Sequence, residues 1–311
     1  MLSRVAESIY WASRYIERAE NTARLVRVNT HLMLDTPKGV DPGWEPLIDI
    51  MGLGTQFTHC CKKPTERNIV RFLIGDQSNS SSILSSLQTA RENFRTMREI
   101  LPRSGWEKLN ELFIAAKQGI NSGLTKKGRD EFLNTIISGS QLLNGLLASS
   151  MYRDEAWHFM RIGRYLERAD MTTRIIDVRS VDLLDGDNSF ESRSFESVEW
   201  ISILKSLSAY YNYSREVQVR VSKVPVLEFL LHDKRFPRSI AHGIGHIEES
   251  VGTLSNNDRS LKALRSIHRQ VNQQHFESLD MDDLHRFLDK IQLGITDFHK
   301  SLEKQYFLTG L

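Results

Sequence analysis

The sequence predicts an all-α fold, a helical bundle formed by two internally duplicated multi-helix halves related by a pseudo-two-fold. Three observations carry that expectation. The chain has seven prolines in 311 residues, so few positions lose the backbone donor that a helix needs. Its apolar residues recur at spacings of three and four, which gather them on one helical face, rather than at the spacing of two expected of a strand. A long motif also occurs twice.

The first helix is the clearest. Val5, Ile9, Ala12, Ile16, Ala19, Ala23 and Val26 fall on one face, with Ser3 as the expected N-cap. The helix should persist to about Met33 and stop at Thr36-Pro37-Lys38-Gly39-Val40-Asp41-Pro42-Gly43, where proline and glycine favour a turn. Further helices are expected near 44–59, 65–74, 80–100, 104–121 and 128–149, then near 152–179, 196–221, 225–232, 238–253, 258–276 and 280–305. Between them the polar stretch 181–194, rich in Asp, Ser and Gly, reads as an exposed connection.

Comparing the chain with itself gives the domain organisation. Arg14-Tyr15-Ile16-Glu17-Arg18-Ala19-Glu20-Asn21-Thr22-Ala23-Arg24-Leu25-Val26 reappears 150 residues later as Arg164-Tyr165-Leu166-Glu167-Arg168-Ala169-Asp170-Met171-Thr172-Thr173-Arg174-Ile175-Ile176. Seven of the thirteen positions are identical and four more are conservative. A second echo keeps an offset of 157: Phe72-Leu73, Asp76, Ser82-Ile83 and Glu92 against Phe229-Leu230, Asp233, Ser239-Ile240 and Glu249. The expectation is one domain over 1–311, composed of repeat halves 1–150 and 151–311. The period is too long for a solenoid.

Composition excludes several classes. Lys and Arg number 41 against 39 Asp and Glu, which argues against a dedicated nucleic-acid binder. No run approaches the roughly 18 apolar residues of a membrane span. Charge at Arg4 and Glu7 falls where a secretory signal has its apolar region, so a cytoplasmic location is expected. Cys60 and Cys61 are sequence neighbours, a poor staple that suits a reducing compartment, and are expected to be packed thiols. No glycine-rich phosphate loop, dinucleotide fingerprint or serine-hydrolase elbow is present.

The opening residues 1–11, the segment Arg14–Arg24, Ser81-Ser82-Ile83-Leu84-Ser85-Ser86-Leu87 with Ala90-Arg91-Glu92-Asn93, Gly163-Arg164-Tyr165-Leu166-Glu167-Arg168-Ala169-Asp170, and Phe236-Pro237-Arg238-Ser239 resemble the bacterial alpha-E domain family. The resemblance covers nearly the whole chain. It implies a helical domain that works beside circularly permuted ATP-grasp proteins and transglutaminase-like proteins, in a system that makes, modifies or cuts peptide or amide bonds. ATP and Mg would then be handled by a partner ligase, with no cofactor bound directly here, and the expected ligand is an amino acid or peptide. An accessory or substrate-binding role, an enzyme in its own right and a purely structural interaction module all remain open.

Candidate site residues follow from the repeated motif. Arg14, Glu17, Arg18, Glu20 and Arg24, with Arg164, Glu167, Arg168, Asp170 and Arg174, stand three or four apart on their helices, so their side chains can meet. One arrangement is structural, with Glu17 meeting Arg164 or Arg168 and Glu167 meeting Arg14 or Arg18. Another is a polar cleft in which guanidinium forks hold a carboxylate or phosphate while Glu17 or Glu167 accepts an amine or shares a proton, which makes those two the catalytic candidates. A dinuclear metal site on Glu17, Glu20, Glu167 and Asp170 is disfavoured, since arginines flank every carboxylate and the usual Glu-x-x-His is missing.

The second echo suggests either N-capping or an anion site at Ser81, Ser82, Arg238 and Ser239. His242, His246 and Glu249 have the spacing of a metal face on one helix, but only one half carries them. Tyr10, Trp11, Tyr15, Trp200, Tyr210, Tyr211 and Tyr213 are expected mainly in the core.

Overall fold

The computed structural model describes residues 1–35, 43–61, 63–181 and 190–308, with backbone alone at 181 and 190–196. Among them there are fourteen α-helices and no strand. They are α1 (Ser3–Asp35), α2 (Pro46–Ile50), α3 (Gly54–Cys60), α4 (Glu66–Gly75), α5 (Ile83–Thr96), α6 (Arg103–Gly123), α7 (Arg129–Ser150), α8 (Glu155–Val181), α9 (Phe190–Ser206), α10 (Tyr210–Glu216), α11 (Lys223–His232), α12 (Ile240–Gly252), α13 (Asp258–Gln273) and α14 (Met281–Leu302). A π-helical turn, Glu303–Phe307, follows α14.

The chain forms two compact units. Unit 1 takes Met1–Glu167 and Tyr306–Leu311, and unit 2 takes Arg168–Gln305. In unit 1, α1 is the central element and packs against α4, α5 and α7, while α6 packs against α5 and α7. The apolar stripe read from the sequence is buried from Ile9 onward. Ser13, Arg14, Glu17, Glu20, Asn21, Thr22 and Asn29 are buried on the same helix, so α1 is enclosed nearly all round. Charge in such surroundings persists only when it is paired. Tyr306 and Phe307 join this unit through ring contacts of Phe307 with Tyr10 at 5.3 Å and of Tyr306 with Phe159 at 5.3 Å.

In unit 2, α12 packs on α11 and α13, α13 on α14, and α9 on α10 and α11. Trp200, Tyr213, Leu230, Ile244, Phe276, Ile291 and Phe298 form its core.

Several boundaries differ from the sequence expectation. The helix expected at 44–59 is two, because Gly52 turns the chain with φ +65° and separates α2 from α3. The one expected at 196–221 is broken at Ser208, where φ is +53°, and has ended before Gln218, where φ is +52°. Ser3 lies in the first turn of α1, whose opening carbonyl is that of Leu2, accepting from the amides of Val5 and Ala6.

The connection expected over 181–194 is helical from Phe190 onward, and 182–189 lie outside the described residues. So does the expected break at 36–42. Cys60 is exposed rather than packed, since Phe57 alone supplies the buried face of α3. Tyr10, Trp200 and Tyr213 are core residues as expected, whereas Tyr210 and Tyr211 are exposed. No helix among the described residues is long and apolar enough to cross a membrane.

Candidate functional site: a buried Arg-Glu-Arg cluster

The N-terminal half of α8 reaches α1 at Gly163. A Cβ there would fall on Ser13 Oγ and on the Tyr10 carbonyl oxygen, so only glycine lets the two backbones come this close. One turn further along α8, Glu167 lies between Arg14 and Arg18 of α1. Arg14 Nε donates to Glu167 Oε2 at 2.7 Å; Arg18 donates through Nε to Oε1 at 2.6 Å and through its terminal nitrogen to Oε2 at 3.0 Å. Glu167 is 2% exposed, and its carboxylate accepts three charge-assisted bonds.

Aromatic rings wall the cluster. Arg14 donates to Tyr10 Oη at 3.1 Å and its guanidinium sits 4.8 Å from the Trp11 ring centre, while that of Arg18 is 5.4 Å from Tyr15.

Burial alone would raise the pKa of Glu167, but Arg18 and Arg14 outweigh it and bring the group down to about 2. Arg18 is pushed the opposite way: burial lowers its pKa, and Glu167 more than restores it, so the net shift is upward. Burial takes the Tyr10 hydroxyl to about 12 against the pull of Arg14. Near neutrality Glu167, Arg18 and Tyr10 therefore each keep one protonation state. The arrangement holds two helices together and is poorly suited to proton transfer.

Two further motif pairs lie within single helices. Arg24 Nε and its terminal nitrogen reach Glu20 Oε1 at 3.0 and 2.7 Å, and Arg174 Nε reaches Asp170 Oδ2 at 3.0 Å, the same step of four on each helix. Thr22 and Thr172 both donate to the carbonyl four residues back, of Arg18 and Arg168, at 2.9 Å. Glu17 is fully buried. The Arg164 guanidinium lies 5.1 Å from the Tyr165 ring, and Arg168 donates to the Pro237 carbonyl at 3.3 Å.

Ser82 and Ser239 are N-caps, of α5 and α12: their hydroxyls accept from the amides of Ser85 at 3.2 Å and His242 at 3.1 Å. The Ser81 amide donates to Asn79 Oδ1 at 2.9 Å, and the buried Arg238 lends its carbonyl to Thr172 Oγ1 at 3.1 Å. Ser81 and Ser82 belong to unit 1, Arg238 and Ser239 to unit 2.

His242 and His246 have ring centres 4.3 Å apart. His246 Nδ1 is 3.3 Å from Glu249, and His242 Nδ1 is 2.9 Å from the Lys234 carbonyl.

Sequence reasoning missed a different triad in unit 2, Asp177, His285 and Asp289, whose ligand-type atoms lie within 4.8 Å of one another. His285 Nδ1 is 2.6 Å from Asp177 Oδ1 and its Nε2 is 3.6 Å from Asp289. The spacing of four between His285 and Asp289 was a visible signal. Their meeting with Asp177 required the pairing of α8 with α14.

The fold and this cluster define a class: an all-helical domain whose Glu-Arg pairs bind helix to helix. The chain belongs to the Alpha-E family, described as "A predicted alpha-helical domain with a conserved ER motif", which it matches over residues 1–307. Arg18 and Glu167 of the cluster come from two Glu-Arg dipeptides, Glu17-Arg18 and Glu167-Arg168. The chain is also 21% identical, over 323 residues, to uncharacterised proteins of Mycobacterium bovis and Mycobacterium tuberculosis, with 96% of this chain covered. It spans 35% of the length of those curated relatives. No solved structure matches it.

Proposed function

We propose that this protein is a cytoplasmic helical accessory that works with a circularly permuted ATP-grasp ligase in ATP-dependent formation or modification of a peptide or amide bond, presenting an amino-acid or peptide substrate while the partner handles ATP and Mg. In this reading the Glu-Arg motif is a folding lock. The observation that carries it is Glu167, which is buried, bound by both arginines and ionised down to about pH 2. An acid–base catalyst working near neutrality needs a pKa nearer the operating pH.

The chain is further proposed to be an internal duplication. In support, α4 and α11 are each ten residues long and start 157 apart, with caps Ser82 and Ser239 at the same offset, while α7 and α14 are each 22 residues long and start 152 apart. The transglutaminase-like association belongs to the same proposed system.

The test is co-purification with a neighbouring ATP-grasp protein, followed by ATP turnover on candidate amino acids with and without this chain. Association together with turnover that depends on this chain is the expected result. Lack of association, with amide chemistry by this protein alone, would overturn the proposal.

A further inference from the structure

A cavity of about 540 Å³ in unit 1 lies at the starts of α4 and α7, lined by Thr65, Glu66, Arg67, Arg71, Lys126 and Arg129. Its size is within the range of small-molecule sites. Four cations face one carboxylate, an excess of three positive charges in a chain whose formal net charge is +2.

Arg129 is the built part of the site. It is 2% exposed, donates through one terminal nitrogen to Glu66 Oε1 at 2.8 Å and lies 5.4 Å from the Trp44 ring centre. Its Nε is buried with no hydrogen-bond partner. A buried donor left unmatched is costly and needs an explanation. Lys126 Nζ stands 3.6 Å from the other oxygen of Glu66, and Arg67 and Arg71 are exposed.

The fold does not require these cations. At the corresponding positions of α11, α14 and the residues before α14, unit 2 has Lys223, Val224, Glu228, Ser278 and Met281. It closes that corner with Lys223 Nζ donating to the Leu279 carbonyl at 2.5 Å. Unlike that corner, the unit 1 cavity concentrates arginine where two helices begin, and helix starts add backbone N–H groups and a partial positive charge.

We infer that this cavity binds a phosphate-class dianion, a phosphoryl or pyrophosphoryl group held by Arg67, Arg71, Lys126 and Arg129 beside the α4 N-terminus. A dianion offsets most of the excess charge, and guanidinium forks match its oxygens in bidentate fashion. Glu66 keeps Arg129 oriented at the wall of the cavity. The inference does not depend on the role of the Glu167 cluster.

Titration calorimetry of the full chain with pyrophosphate, at constant ionic strength, tests it. Saturable one-to-one binding is expected, weakened at least tenfold in Arg67→Ala/Arg71→Ala, whose side chains are exposed and leave the fold alone. Arg129→Met, with circular dichroism to confirm folding, should abolish binding. A control, Lys262→Ala/Lys304→Ala, removes charge from a separate basic groove on α13, α14 and the π-helical turn and should leave affinity unchanged. Absence of saturable binding by the wild type, or equal weakening in the control and the Arg67/Arg71 variant, would overturn the site.

Discussion

Two of the carboxylates on helix α8, Glu167 and Asp177, meet cations in different ways. In unit 1, Glu167 lies buried between Arg14 and Arg18 of α1. In unit 2, Asp177 meets a half-exposed His285 of α14 at 2.6 Å, with Asp289 at the far side of the ring. The two contacts respond to pH with opposite sign.

The folded-state pKa of Glu167 is depressed, so its stabilisation is complete above the unfolded value near 4.5 and is lost as pH falls toward about 2. Asp177 is raised, chiefly by burial and despite His285, and His285 is raised by its hydrogen bond to Asp177. Two raised values mean that the folded state holds protons more tightly, so this contact stabilises more at low pH and weakens as pH rises through the raised His285 value. Arginine makes one contact indifferent to physiological pH, and histidine makes the other sensitive to it.

The largest effect is expected from Glu167→Gln, which takes from the buried Arg14 and the half-buried Arg18 the carboxylate that they share. Removing one partner of such a group costs about 3–5 kcal/mol, and urea denaturation should show a loss of that size. The analogous Asp177→Asn change in unit 2 should cost far less, because His285 can lose its charge and face water. Acid sharpens the contrast. A shift from 4.5 to about 2 corresponds to about 3 kcal/mol, so wild-type stability should fall by that order between pH 5 and pH 2, and this component should be missing in Glu167→Gln.

Gly163→Ala tests the close approach that makes the Arg-Glu contacts possible. Overpacking typically costs about 1–3 kcal/mol, read as a lower melting temperature with Ser13 and Tyr10 displaced. The smallest effect is expected from His285→Gln. Hydrogen exchange corrected for intrinsic rates should show α14 amides opening more readily from pH 5.5 to pH 8 in the wild type, and no such trend in the variant.

The periodicity of Ile9, Ala12, Ile16, Ala19 and Ala23 is local, and it anticipated α1 to within two residues at its C-terminal end. Turns that depend on single residues with positive φ, such as Gly52 and Ser208, did not register in an apolar pattern that continues across them. The pairing of Glu167 with Arg14 or Arg18 was legible because the repeat set acids and bases in matched positions. Its burial, and hence its unsuitability for proton transfer, was not legible, since nothing in the motif itself says that α1 is enclosed nearly all round. Arg129 gave no signal at all. Its significance comes from Glu66 and Trp44, brought beside it only by tertiary packing.

The central claim is that the Arg-Glu-Arg cluster locks the fold rather than binding substrate. Replacing its three charged residues together tests this, by comparing the triple variant Arg14→Met/Arg18→Met/Glu167→Leu with Glu167→Gln in urea denaturation and in binding of the proposed ATP-grasp partner. Exchanging a complete buried ion cluster for apolar residues of similar volume is often neutral or stabilising. The triple variant should recover the stability lost in Glu167→Gln and retain partner binding. A stable triple variant, or a stable Glu167→Gln, that has lost binding would contradict it.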